Sequence, residues 1–240
     1  MTHKFATLIL AVSALGLSAL PAAADSACAA SATMDTYLGS GYSCYIGNLD
    51  FSNFTYSSSA SNPPLPQPAT AVTVDTVDNA SGIGFSFNSS WTAVGANEFS
   101  DAAIGFTVTV MGGGAATLED AAVVQTGGVD STNTGSIAQV TEDGCSLPGT
   151  PCSQEWDVMT SKTSNTTEFA AETFYTPTGS LSVSKDINAQ DGTSTGAHST
   201  ISLVQDTFSQ VPEPRSLALL LGLGLVAGLS LKKKLQSVQS

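Results

Sequence analysis

The chain has 240 residues, 20 of them acidic, against 7 lysines and arginines. Every acid lies at or beyond Asp25, while Lys162 and Lys185 are the only basic side chains between Asp25 and Gln210. A surface this anionic repels phosphate backbones, which excludes nucleic acid as a partner.

The N-terminus reads Met1-Thr2-His3-Lys4, then an apolar run from Phe5 to Leu20, then Pro21-Ala22-Ala23-Ala24-Asp25. A basic start, a short apolar stretch and a small-x-small site are the three parts of a secretory signal peptide. The sequence therefore predicts a signal over residues 1–24. Ala22 and Ala24 take the small-residue positions, and Asp25 becomes the new N-terminus. Four cysteines remain: Cys28, Cys44, Cys145 and Cys152. An even count in an oxidising compartment favours disulfides, with three connectivities open. Cys145 and Cys152 flank a compact loop with two prolines and a glycine, which favours that local pair and leaves Cys28 with Cys44. Each bridge is worth about 2–3 kcal/mol in the chain-entropy model.

Residues 25–209 are expected to form one extracellular domain. Alternation of apolar and polar residues marks half-buried strands at Val72–Val77, Ile83–Phe87, Ile104–Val110, Leu181–Ile187 and Ile201–Leu203. Leu49–Tyr56 is rich in strand formers, but its alternation is broken. Turn signals fall at Asp78–Gly82, Gly112–Gly114, Gly127–Gly128 and Asp191–Gly192. Leu118–Val124 reads as a short helix. Asn62–Pro68 reads either as a linker isolating a small Cys28–Cys44 unit or as a surface loop. Short strands at this spacing predict an all-β, antiparallel β-sandwich.

Candidate chemistry in this region is sparse. His198 is the one histidine there, which rules out a multi-histidine metal centre. Gly192-Thr193-Ser194-Thr195-Gly196 matches G-x-S-x-G, but a nucleophile elbow needs a helix after it, and a strand is expected instead. Glu119-Asp120 and Glu142-Asp143 are adjacent acids of the kind a glycosidase uses; among 20 acids such pairs read as a solvated acidic face. Asp186–Gly192 departs from a calcium-loop spacing and lacks the closing glutamate. No catalytic residue, cofactor or metal is assigned. Trp91 is expected in the core beside Phe85 and Phe87, whereas Trp156, Tyr37, Tyr42 and Tyr45 are candidate platforms for sugar rings.

Residues 210–240 close the chain with Val211-Pro212-Glu213-Pro214-Arg215, an apolar run from Ser216 to Leu231, and Lys232-Lys233-Lys234. The run predicts a single transmembrane helix over 216–231, rising about 24 Å against a hydrocarbon core of about 30 Å. Lysine snorkelling and local thinning cover the difference. The basic tail, Lys232, Lys233 and Lys234, predicts a cytoplasmic C-terminus and places the preceding domain outside.

That order of a Val-Pro-Glu-Pro motif, short apolar helix and basic cluster resembles the PEP-CTERM sorting signal of bacteria that make extracellular polysaccharide. The resemblance implies that an exosortase reads Pro212, Glu213 and Pro214, and that the helix is shed after processing. More loosely, Cys44–Phe54, Gly84–Trp91, Val183–Ile187 and Thr207–Pro214 resemble segments of PEP-CTERM proteins without an assigned reaction. The implied partners are the exosortase, the export machinery, the membrane before processing, and extracellular polysaccharide. The implied location is first an inner-membrane intermediate, then the cell surface or matrix. The function expected is structural or adhesive within an exopolysaccharide layer, not enzymatic. A carbohydrate-binding or carbohydrate-active surface protein is the alternative. Ice binding is a third reading, because some ice-binding proteins share this signal.

An enzyme-read signal needs particular side chains before the membrane, whereas a plain anchor needs only apolar length and flanking lysines. Glu213→Ala leaves the span and the lysines intact, so membrane insertion should be normal while processing falls. Uncleaved protein should then accumulate in the membrane fraction, as read by mature mass and release from cells.

Overall fold

A computed structural model describes residues 26–61, 64–112, 116–129, 135–146, 156–162, 166–193 and 195–212. The expected signal peptide at 1–24, Asp25, Cys152, Glu213, Pro214, the expected helix at 216–231 and Lys232–Lys234 lie outside the described residues. Among the described residues no helix is long and apolar enough to cross a membrane.

Two six-stranded sheets make up the fold. In spatial order the first holds β1 (Ser31–Thr33), β4 (Thr73–Asn79), β5 (Gly82–Val94), β12 (His198–Pro212), β7 (Ala116–Val129) and β10 (Thr166–Thr178). The second holds β2 (Ser43–Ile46), β3 (Leu49–Ala60), β6 (Phe99–Val110), β11 (Ser180–Gln190), β8 (Ile137–Cys145) and β9 (Trp156–Lys162). Neighbouring strands are antiparallel throughout. The inner faces pack together, as the sandwich reading expects. Leu118–Val124 is a correction: this segment is part of β7, not a helix. Its neighbours on both sides, β12 and β10, pair with it along its length, with a register shift at Glu119, and tertiary pairing overrides the helical propensity of Leu, Glu and Ala.

The broken alternation of Leu49–Tyr56 has a local cause. Asn53 takes φ +56° at a bulge in β3, where the register against β6 shifts between Ser52 and Thr55. The extra residue lets both Phe51 and Phe54 face inward. They join Tyr37, Phe85, Phe106 and Phe208 in an aromatic cluster that spans both sheets. Phe51 and Phe85 approach to 4.7 Å between centroids, Tyr37 and Phe54 to 5.1 Å, and Phe106 and Phe208 to 6.1 Å. Each fully buried ring of this kind contributes about 1.5–3 kcal/mol. Trp91 is fully buried with them, as expected.

Met34 and Tyr37 of the short helix α1 (Met34–Tyr37) belong to the same core, and so does Cys44. The N-terminal segment is therefore no separate unit. Cys28 is disulfide-bonded to Cys44 across a sequence separation of 16, which matches the expected pairing. Cys145 is also disulfide-bonded; Cys152, its expected partner, lies outside the described residues. Asn62 and Pro63 lie outside the described residues, and residues 64–68 run on the surface in the connection from β3 to β4. Tyr56 and Ser58 hydroxyls both donate to the Gln67 carbonyl, at 2.6 and 2.7 Å, and hold it against β3.

The last two strands of the chain take central places, β11 between β6 and β8 and β12 between β5 and β7. Neither sheet is complete until the C-terminal strands have docked. β12 also runs past the expected domain end at 209, with Val211 opposite Thr117 and Pro212 opposite Ala116. The first two residues of the expected sorting motif are thus sheet residues.

The approach of β5 to β12 is close enough to require glycine at residue 84. A Cβ there would fall 2.0 Å from the Asp206 carbonyl oxygen. Gly84→Ala should therefore destabilise the protein by about 2 kcal/mol or more. Gly179→Ala, where nothing lies within 4 Å of the added carbon, should stay within about 0.5 kcal/mol of wild type in urea unfolding.

Candidate functional site

At the end of the sandwich where β12 finishes, three segments meet. They are the β2–β3 turn at Gly47-Asn48, the β4–β5 turn after Asp78, and Ser209-Gln210. Gly47 has φ +58°, and a Cβ on it would lie 2.9 Å from Ile83 Cδ1, so glycine alone seats this turn against Ile83. That placement sets Asn48 opposite Gln210. Asn48 Nδ2 donates to Gln210 Oε1 at 2.5 Å, and Gln210 Nε2 donates to Asn48 Oδ1 at 3.0 Å. The Asn79 side chain accepts from the Ser81 amide at 2.7 Å, an Asx turn that shapes the opposite wall. Between the walls lies a cleft of about 280 Å³ floored by Ile83 and Phe208 and rimmed by Asn48, Asp78, Asn79 and Gln210. Amides and a carboxylate beside an apolar floor suit a neutral, hydroxyl-rich ligand, because each planar group offers directed donors or acceptors. The cleft adjoins the expected sorting motif, since Gln210 directly precedes Val211.

The expected sugar platforms separate by burial. Tyr37 is 1% exposed, and burial, then Tyr42 and Asp75, push its hydroxyl up to about 12; it is a core residue. Tyr42 is half-buried and packs on Tyr37 and Phe54. Tyr45, 36% exposed on the edge strand β2, presents its ring to solvent. Trp156 opens β9, and its side chain lies outside what is described. A regular threonine face of the kind ice binding needs is not formed on the outer side of the second sheet. Asp50, Asp101 and Asp186 interrupt its serines and threonines.

The adjacent-acid reading needs a correction. Glu142 and Asp143 were expected together on a solvated face, yet Glu142 is fully buried. Residues along β8 alternate, so Ala138, Val140 and Glu142 point into the core while Gln139, Thr141 and Asp143 point out. Glu142 stands directly opposite Lys185 of β11, and Asp206 of β12 reaches them from the facing sheet. All three side chains have zero exposure. Lys185 Nζ donates to Glu142 Oε2 and lies 3.4 Å from Asp206 Oδ2. Glu142 Oε1 and both Asp206 oxygens make no hydrogen bond. Burial, then the charge of Asp206, pushes Glu142 from 4.5 up to about 8, and Lys185 only partly opposes this. Asp206 is raised for the same first reason, burial. A second polar bridge lies in the same half of the core, where Thr160 Oγ1 donates to Gln125 Oε1 at 2.5 Å.

This cluster was legible in one respect. Lys185 shares the inward register of Leu181, Val183 and Ile187, an odd place for a lysine with no partner nearby in sequence. Glu119 and Asp120 lie on β7 in the other sheet. Asp186 sits within β11 itself, so Asp186–Gly192 does not form a loop. Asp191, just past the strand end, accepts from the Gly95 amide at 2.9 Å. The G-x-S-x-G match leads into strand β12, as expected, with Ser194 outside the described residues. Among the described residues no three metal-ligating side chains converge.

No family model and no curated protein matches this chain. Solved structures with some likeness include TmCBM61 in complex with β-1,4-galactotriose, at 14% identity and TM-score 0.34, over 66% of this chain and 88% of that one. The enzymatically active domain of bacteriophage CBA120 tailspike protein 4 matches at 14% identity and TM-score 0.27, over 63% of this chain and 19% of that one. A family two carbohydrate esterase from Cellvibrio japonicus matches at 13% identity and TM-score 0.22, over 68% and 36%. Identities this low bear on fold alone, and TM-scores this low carry no functional argument.

The buried acid has a consequence for stability. The unfolded chain releases the Glu142 proton near 4.5, whereas the folded chain holds it to about 8. Within that window the folded state binds more protons, so stability should fall as pH rises through it. Urea midpoints measured across the window should decline for wild type, and the slope should flatten in Glu142→Gln.

Proposed function

We propose that this chain is an exported bacterial surface protein whose β-sandwich binds carbohydrate, and that an exosortase sorts it through Val211–Pro214. The observation that carries the binding part is the cleft at the end of β12. Its rim of Asn48, Asp78, Asn79 and Gln210 over Ile83 and Phe208 has the chemistry of a site for a neutral polyhydroxylated ligand. This favours the carbohydrate-binding alternative over a purely structural role. Binding of matrix polysaccharide is also how a structural or adhesive role in an exopolysaccharide layer would be exercised, so the two readings meet in one site. The reading is of a binding protein, not an enzyme.

Sorting and binding share one end of the domain in this reading. The membrane helix predicted after Pro214 would hold the cleft close to the bilayer until processing. Release of the helix would then free the cleft for glycan outside the cell. Low lysine content, disulfides and an anionic surface are in keeping with an extracellular setting.

Affinity electrophoresis through a panel of neutral polysaccharides tests the reading. Wild type should be retarded by at least one of them. Asp78→Ala and Gln210→Ala remove rim hydrogen bonds without touching the core, and each should weaken binding about tenfold, equivalent to about 1.4 kcal/mol. Equal retardation of both variants and wild type, or none by any glycan, would sink the cleft as the site.

A further inference from the structure

We propose that Lys185 and Asp206 become joined by an isopeptide bond that the folded protein forms by itself, with Glu142 as the catalytic acid. The three groups are the only charged side chains among the described residues with zero exposure, and they come from three strands in two sheets. Lys185 Nζ stands 3.4 Å from an Asp206 carboxylate oxygen, which sets the amine beside the carboxyl group whose carbon it would attack. Neither Asp206 oxygen is held by a hydrogen bond, so no donor fixes that carboxyl against reaction. Glu142 contacts the nucleophile directly through its hydrogen bond with Nζ.

The environment favours condensation. A buried ion pair carries a desolvation cost of several kcal/mol per ion in a dry interior, offset only where every oxygen and proton is satisfied. Three oxygens here are not satisfied. Proton transfer from Nζ to Asp206 converts the pair into an amine and a carboxylic acid, which the apolar surroundings tolerate better. The amine lone pair then attacks Asp206 Cγ. Glu142, which burial keeps protonated to about 8, donates to the Asp206 oxygen as charge develops on it. Glu142 next accepts a proton from the nitrogen, delivers it to the departing hydroxyl, and takes back the proton it gave as that oxygen collapses to the amide carbonyl. One N–C bond forms, one C–O bond breaks, one water leaves, and Glu142 ends as it began. No oxidant or cofactor is needed. The product is a neutral amide beside a neutral acid, and the buried charge is gone.

The bond would link β11 in one sheet to β12 in the other. Unravelling of β12 from its C-terminal end would stop at residue 206, leaving the pairing of residues 199–205 with β5 and β7 in place. A disulfide does comparable work at the other end of the chain, where Cys28 is tied to Cys44.

Peptide mapping of the full exported chain decides the matter, independently of where its ends are processed. The folded protein is reduced, alkylated and digested, and its peptides are sequenced by tandem mass spectrometry. The expected result is a branched peptide joining the Lys185 and Asp206 segments, lighter than their sum by one water, with the two linear peptides depleted. In Glu142→Gln, with folding checked by circular dichroism, the branched peptide should form about a hundredfold more slowly, as loss of a general acid implies. Linear peptides carrying free Lys185 and free Asp206 at full yield in the folded wild type would overturn the proposal, and that result needs no variant to fold. A branch at Glu142 in place of Asp206 would overturn the assignment of roles. A Glu142→Gln variant that cross-links at the wild-type rate would remove Glu142 from the chemistry.

Discussion

A lysine placed between two sheets with no route to water must find its counter-charges inside the core. Lys185 finds them in Glu142, its cross-strand neighbour, and in Asp206 on the facing sheet. This constraint reaches through the fold, because the three strands involved are central or next to central. β12 must bring Asp206 to the right height, which sets its register against β5 and β7 together. A slip of one residue would turn Asp206 to solvent and leave Lys185 and Glu142 uncompensated. The cluster therefore penalises wrong registers more than it adds to the stability of the right one.

The two halves of the core solve different problems. Around β3, β5 and β6 the sheets are held apart and together by aromatic rings, in tilted and edge-to-face contacts between 4.7 and 6.1 Å. Around β7, β8 and β11 the inward apolar residues are aliphatic, among them Ala121, Val123, Ala138, Val140, Ile187 and Ala189, and polar bridges lie between them. Apolar area supplies most of the driving force in the first half, and directed contacts specify the pairing of sheets in the second.

The candidate cleft depends on this arrangement at one remove. Its wall at Ser209-Gln210 is the continuation of the strand that carries Asp206, and its floor at Phe208 is part of the aromatic cluster. The opposite wall is set by two turns, one of which is seated by Gly47 against Ile83. A ligand bound there would touch the part of β12 that directly precedes the expected sorting motif. Glycan contact and membrane sorting would thus act on the same few residues, an economy that a longer linker would forbid.

Much of the architecture was open to sequence reading, because it rests on local periodicity. Alternation at Val72–Val77, Ile83–Phe87, Ile104–Val110 and Leu181–Ile187 marks strands in two sheets. The tight Cys145–Cys152 spacing, by leaving Cys28 with Cys44, anticipates the Cys28–Cys44 bridge, and the predicted export and sorting signals are read from order and composition alone. Leu118–Val124 misled, since its helical propensity is a local quantity and the ladders to β10 and β12 are not. The cleft was invisible because Asn48, Asp78 and Gln210 meet only when β12 docks between β5 and β7 and the two sheets close. Glu142 looked like one acid among many for the same reason. Which acid faces water and which faces Lys185 depends on pairings across 43 residues of chain between them, and on a facing sheet that no periodicity records. Sequence determined which segments are strands; tertiary packing decided which charges had to be buried together, because only closure of the two sheets removes water from them.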